Sequence, residues 1–310
     1  LDSGSKGILD ALIHGFEGEY LLELFIDCIL DAAIDSVKIL PFLFLTYLLL
    51  EMLEQRLSNQ TKETMRRSGK LGPIFGGLLG VVPQCGFSAA ASNLYAGGVV
   101  TAGTLLAVFL STSDEMLPIF ISEAVDASVI AKVLASKVVI GIISGIVVDL
   151  LFARAFHFKE KELDIHDFCE HEHCHCEEGK SVFRSACMHT IRVTAYIFVI
   201  SFVLNYAIES IGQEQIAGLV FNRPVVGELL AALIGLIPNC AASVVITQLY
   251  LSGVIGTGAM MAGLLTGSGV GLLVLLKVNH NSRENLRILL ALYVLGVVWG
   301  LLFTILGVQF

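Results

Sequence analysis

The chain has 310 residues, of which 55% are hydrophobic and 15% charged, with a formal net charge of -9. That apolar excess excludes an ordinary soluble domain and points to a polytopic membrane protein. The acidic balance, with no basic stripe carrying interleaved aromatics, excludes a nucleic-acid binder.

Residues 1–21 open the chain. Ile8, Leu9, Leu12, Ile13 and Phe16 recur at helical spacing among charged residues. This predicts an amphipathic helix lying on the membrane surface; a frayed terminus is the alternative. The chain starts at Leu1 with no cleavable leader legible, as expected if its natural start lies upstream. Eight apolar segments follow, at about 22–53, 73–96, 98–123, 128–156, 183–209, 225–248, 251–278 and 286–309. Crossing a bilayer core takes roughly 20 residues of helix. A first transmembrane unit over 22–156 and a second over 183–310 are expected, with a soluble loop at 157–182 between them.

One stretch occurs twice. Residues 72–103 align without a gap on residues 227–258, an offset of 155, and 11 of the 32 pairs are identical. The identities include Pro83/Pro238, Cys85/Cys240, Ser88/Ser243, Tyr95/Tyr250, Gly98/Gly253 and Gly103/Gly258. Apolar composition alone does not match prolines, cysteines and tyrosines, so this is an internal duplication. Both copies are apolar runs interrupted in the middle, at Pro83-Gln84-Cys85 and Pro238-Asn239-Cys240. Paired interruptions in two halves are the sequence pointer to a transporter's binding site.

Charge sets the expected sides. Arg56, Lys62, Arg66, Arg67 and Lys70 make the linker at 55–72 the densest basic loop, hence cytoplasmic. Lys277, Arg283 and Arg287 place the loop near 279–287 on the same side, while Glu123 with Asp126, and Glu209 with Glu214, mark the opposite side. An odd number of crossings must then lie between each basic and acidic loop. One of each pair of intervening segments must enter and return. The expected fold is therefore all-α, with two inverted-topology repeats, each of three crossing helices and one re-entrant helical hairpin. Fully spanning but kinked helices are the alternative.

Four constellations carry candidate chemistry. The hairpin tips would place Gln84, Cys85 and Ser88 opposite Asn239, Cys240 and Ser243 around a shared cavity; the alternative is that small residues there simply allow close packing. Ser111-Thr112-Ser113-Asp114-Glu115 interrupts the next helix, and Thr266-Gly267-Ser268-Gly269 is its uncharged counterpart. Asp114 and Glu115 are candidate cation ligands or proton carriers, or partners of Lys137 in a structural ion pair. Lys38 and Arg192, at matched positions of the two halves, suit an anion or neighbouring carboxylates. The loop residues Cys169, His171, His173, Cys174, His175 and Cys176, with Glu170, Glu172, Glu177 and Glu178, offer thiolate and imidazole ligands. They lack the spacing of a folded zinc module and read as a chelating loop that delivers or senses metal. No phosphate-binding loop, nucleophile elbow or dinucleotide fingerprint is present in the sequence, so an enzyme is not expected.

These motifs resemble a bacterial family described as ten-helix heavy-metal exporters, akin by description to arsenic permeases and often labelled manganese transporters. The resemblance rests on Val82-Pro83-Gln84-Cys85-Gly86-Phe87-Ser88, Ser111-Thr112-Ser113-Asp114-Glu115, Ile237-Pro238-Asn239-Cys240 and the His-rich central loop. It implies a multi-pass protein of the bacterial inner membrane. The residues and the resemblance together suggest a secondary active exporter of a divalent ion such as manganese or zinc. Asp114, Glu115, Cys85 and Cys240 are the expected metal ligands in the membrane. No resident cofactor is required: the metal is substrate or regulator, and a proton or sodium ion is the coupling ion. The expected partners are the transported ion and the lipid bilayer, with a homodimer left open. Two other classes stay open, an exporter of an oxyanion or organic anion held by Lys38 and Arg192, and a non-transporting metal sensor.

Overall fold

The computed structural model describes residues 25–41, 43–49, 71–82, 85–113, 116–155, 182–211 and 225–310. The expected surface helix at 1–21, the basic linker and the Cys/His loop lie outside the described residues. Among the described residues all regular structure is helical.

The first helix, α1, covers residues 25–41 and 43–49. The first copy of the repeat supplies α2 (Gly72–Gly80), α3 (Cys85–Ala96), α4 (Ala102–Ser111), α5 (Met116–Ser122) and α6 (Ala127–Ala155). After α7 (Val182–Ile211), the second copy supplies α8 (Val226–Gly235), α9 (Cys240–Leu251), α10 (Thr257–Thr266), α11 (Val270–Val278) and α12 (Ser282–Leu306). Counting the broken pairs α4–α5 and α10–α11 once each gives ten helical segments among the described residues. Five runs there are long and apolar enough to cross a membrane: Ala102–Ser122, Ala127–Leu151, Ala186–Tyr206, Thr257–Val278 and Ser282–Leu306.

The offset of 155 extends beyond the aligned sequence. α3 and α9 have corresponding ends, as do α4 and α10, and α6 and α12 start at corresponding residues. The packing repeats as well. α4 lies against α2 and α6, and α10 lies against α8 and α12. Between the halves the contacts are reciprocal, with α3 on α11 and α9 on α5. Reciprocal contact of equivalent elements is what a two-fold relation produces.

The repeated residues have local physical reasons. Gly98 and Gly253 turn the chain between α3 and α4 and between α9 and α10, at φ of 72° and 75°. An L side chain is strained there, so glycine is kept in both copies. Gly80 and Gly235 let their helices approach the hydroxyls of Ser111 and Thr266. A β-carbon on Gly145 would stand 2.5 Å from the Gly103 carbonyl oxygen, and one on its counterpart Gly300 would stand 2.7 Å from that of Gly258. Small residues here replace the hydrophobic drive that lipid removes, because close backbone approach yields the packing energy.

The breaks have reasons too. Pro238 follows the end of α8, and Asn239, extended at φ -144°, caps α9 by accepting the Ala241 N–H at 3.2 Å. Gly269 opens α11 at φ 53°, ψ -141°, a conformation glycine tolerates best. The inner runs are buried by protein: 83% of the α10–α11 window lies inside, against 28% for α12, whose remaining surface is apolar and faces outward.

Candidate functional site

The described helix ends that flank the interruptions converge. Cys85 is the first residue of α3 and Cys240 the first residue of α9, and their sulfurs stand 3.7 Å apart. Two equivalent residues, 155 apart, thus touch each other. A second equivalent pair does the same: the Trp299 indole donates to the Ser144 hydroxyl at 2.9 Å. Contact between equivalent residues is what a two-fold relation between the halves would produce.

Beside the Cys240 thiol lies a small cavity lined by Thr112, Ser113, Met116, Lys137, Asn239, Cys240, Ser243, Leu264, Gly267 and Gly269. Hydroxyls in and near it bond to backbone carbonyls of the surrounding helices. Ser88 donates to the Cys85 carbonyl at 2.9 Å and Ser243 to the Cys240 carbonyl at 2.8 Å. Ser113 donates to Val81 at the end of α2 at 2.7 Å, and Thr266 to Ala232 on α8 at 2.9 Å. Ser111 and Thr112 both donate to the Val108 carbonyl, at 3.1 and 2.8 Å. The Val108 and Ala232 carbonyls also accept a backbone N–H, so what these bonds secure is a partner for each hydroxyl in an apolar setting. The Asn239 amide, besides capping α9, donates to Asn205 of α7 at 2.5 Å.

Lys137, named in the sequence analysis only as an ion-pair partner of Asp114 and Glu115, belongs to this region as well. It is 1% exposed, lines the cavity, and donates to the Leu264 carbonyl at 2.6 Å, in the last turn of α10. A cation at a helix C-terminus suits the helix dipole and satisfies an orphan carbonyl. The available signal was a lysine inside an otherwise apolar helix.

The remaining candidates are distributed as follows. Ser88, Ser111, Thr112, Ser113, Asn239, Thr266 and Ser268 are buried, and Cys85, Cys240 and Ser243 are partly buried, all at or beside the convergence of breaks. Lys38 is 60% exposed and sits 3.7 Å from the Asp35 carboxylate. Arg192 is exposed on α7. Gln84, Asp114 and Glu115 lie outside the described residues, as do Cys169, His171, His173, Cys174, His175 and Cys176. Among the described residues no three His, Cys, Asp or Glu gather into a group that could hold a metal. Glu228, also absent from the sequence-derived site, is 3% exposed at the head of α8, where it accepts from the Thr304 hydroxyl at 2.5 Å.

Comparison with known proteins agrees with this architecture. A family model described as "Putative, 10TM heavy-metal exporter" matches residues 21–181 and 151–282, together most of the chain. No curated protein and no solved structure is significantly similar to the chain. With its apolar helices and that family match, the chain is a multi-pass membrane protein that belongs to the ten-helix heavy-metal exporter family.

Proposed function

We propose that this chain is a secondary active transporter that exports a divalent heavy-metal ion through a site between its two helix-break tips. The observation that carries this is the contact between Cys85 and Cys240 beside the broken helices α4–α5 and α10–α11. Non-helical backbone at membrane depth is stable only in a protein-lined or wet cavity, which is what a passing ion needs.

The reading includes inverted repeats with re-entrant hairpins, and specific contacts support both. Gly72, at the start of α2, packs on Thr104 near the start of α4, and Gly80, at its end, packs on Ser111 at the end of α4. α3 then leads from the break back to Tyr95, which donates to Glu284 in the first turn of α12. At the far end of α5, Phe120 faces Tyr250 near the end of α9, with ring centroids 6.4 Å apart. The run α4–α5 therefore leads from the Tyr95 end to the Tyr250 end. The run α10–α11 starts just past Tyr250 and ends just before Glu284, so it leads the other way. In this reading the two halves enter from opposite faces of a bacterial inner membrane, and rocking about the shared axis alternates access.

The coupling ion is a proton or sodium, with Asp114 and Glu115 as its candidate carriers. Purified protein in liposomes, given a panel of divalent ions under proton and sodium gradients, tests this. Gradient-driven uptake of at least one ion, abolished in Asp114→Asn, is expected. Absence of flux for every metal defeats the reading.

A second reading has its own observation. Lys137 and the N-terminus of α9 line the cavity, and both attract negative charge. An oxyanion such as an arsenic species or phosphate suits that pair better than it suits the exposed Lys38 and Arg192. Flux of such an anion, lost in Lys137→Gln and unaffected by Asp114→Asn, would replace the metal reading.

A further inference from the structure

We infer that Cys85 and Cys240 form one thiolate site for a soft divalent ion of the zinc and cadmium kind, with one ligand from each half of the chain. This rests on the exporter reading and names its substrate class.

The geometry comes first. A tetrahedral ion with metal–sulfur bonds of about 2.3 Å holds its two sulfurs about 3.8 Å apart. The Cys85 and Cys240 sulfurs stand 3.7 Å apart. The pair can close on such an ion without rearranging the helices that carry it. Thiolate formation is favoured by position, because each cysteine is the first residue of a 12-residue helix, where the dipole favours negative charge. The Lys137 ammonium in the adjoining cavity adds to that field.

The chemistry then selects the ion. Two thiols bind by releasing two protons, giving a neutral complex with a divalent ion. Thiolate ligands favour zinc-like ions over manganese, which prefers oxygen donors. Two protein ligands leave two coordination positions for water or a neighbouring oxygen. A structural zinc site is closed by four protein ligands and does not release its ion readily; a half-filled shell suits cargo. Because one sulfur comes from each half, a bound ion ties the two halves together at this point.

The test uses the full chain with Cys169→Ser, Cys174→Ser and Cys176→Ser, which removes the competing loop thiols. Titration with cadmium should produce an ultraviolet thiolate-to-metal band, and cadmium should protect Cys85 and Cys240 from maleimide in peptide-resolved mass spectrometry. Either Cys85→Ser or Cys240→Ser should remove the band and weaken cadmium and zinc binding by roughly tenfold or more. The protection assay is read on unsubstituted Cys85 and Cys240, so it decides the matter even if those variants misfold. A band that survives the double variant, or maleimide labelling indifferent to cadmium, overturns the inference. A chain that carries manganese, and does so equally well in both Cys→Ser variants, also overturns it and leaves the exporter reading intact. A chain that carries no metal but still shows the band retains the thiolate site and loses the exporter reading.

Discussion

Lys137 on α6 and Leu292 on α12 are equivalent residues, 155 apart, and both are fully buried. Around them the two halves pack alike, through Gly141 and Gly296 and through Gly145 and Gly300. What differs is charge. Asp149 of α6 accepts from Thr101 and from the Gly103 N–H, both at 2.8 Å, at the start of α4. Its counterpart on α12 is Thr304, and there the carboxylate comes from Glu228 of α8 instead, where the first half has Pro73. Duplication has preserved shape, which is set by glycines and helix breaks. It has not preserved polarity, which each half solves separately. In the proposed transporter such a frame would let the halves exchange conformations, while Lys137, which has no charged counterpart in the second half, lines the cavity between them.

The largest expected effect comes from erasing that asymmetry. Lys137→Leu makes the first half resemble the second. It removes the donor to the Leu264 carbonyl, at a cost of about 1–3 kcal/mol for a buried group left unsatisfied, and, by removing the charge that lines the cavity, it should cut flux in liposomes at least roughly tenfold. Lys137→Gln keeps an N–H donor. It should recover most of the thermal stability in detergent while flux stays low. If flux recovers with stability, the ammonium serves only as a helix cap.

Shape can be tested in parallel. Gly145→Val and Gly300→Val each push side-chain atoms against a neighbouring backbone carbonyl, and overpacking of this kind costs about 1–3 kcal/mol. The two variants should lower the melting temperature by similar amounts. A large loss in one and none in the other would mean that the halves do not share the close approach on which the two-fold relation depends.

Much of the frame was legible in the sequence and much of the charge was not. The prolines, cysteines and glycines of the repeat stand out because apolar composition does not produce them by chance, so the duplication and its breaks could be read directly. That Cys85 touches Cys240 depends on how the two halves pack together, which no single stretch encodes. Glu228 belongs to no motif in the sequence, and only its burial and its bond from Thr304 give it weight. In helices such as α6 and α12, lipid-facing and inward-facing residues are equally apolar. Hydrophobic periodicity therefore does not say which face holds Lys137, since lipid replaces the water that creates the usual contrast.

A smaller contrast separates the two repeated tyrosines. The Tyr95 hydroxyl donates to the buried carboxylate of Glu284, and Tyr250 reaches the Phe310 carbonyl at 3.4 Å. Bonds to charged groups contribute about 1.5–3 kcal/mol and long neutral ones less than about 1. Tyr95→Phe should therefore lower stability in detergent measurably more than Tyr250→Phe. Equal losses would mean that the ring's packing, common to both, dominates over the hydroxyl.

The smallest effect lies at the water-facing starts of α6 and α12, where equivalent residues cap with different chemistry. Asp126 accepts the Ser128 N–H at 2.8 Å, and its counterpart Asn281 accepts the Glu284 N–H at 3.4 Å. Asp126 is fully exposed, and its hydrogen bonds from Ser128 hold its carboxyl below the ordinary aspartate value, with Lys132 adding to the effect. A lowered value in the folded protein means that the stabilisation is present above the ordinary aspartate value and is lost as pH falls through the lowered one. The cap on α6 should therefore be constant from neutral pH down to mildly acid pH and weaken only below that, whereas Asn281 has no proton to gain and keeps its cap throughout. Amide hydrogen exchange at residues 128–130, expressed relative to Asp126→Asn to cancel the intrinsic pH dependence, should accelerate only in the acid window. Asn281→Asp should transfer the same behaviour to the first turn of α12. If the ratio to Asp126→Asn stays flat across the whole titration, the carboxylate contributes no more than an amide at that position, and the two halves are alike at their caps as well as in their packing.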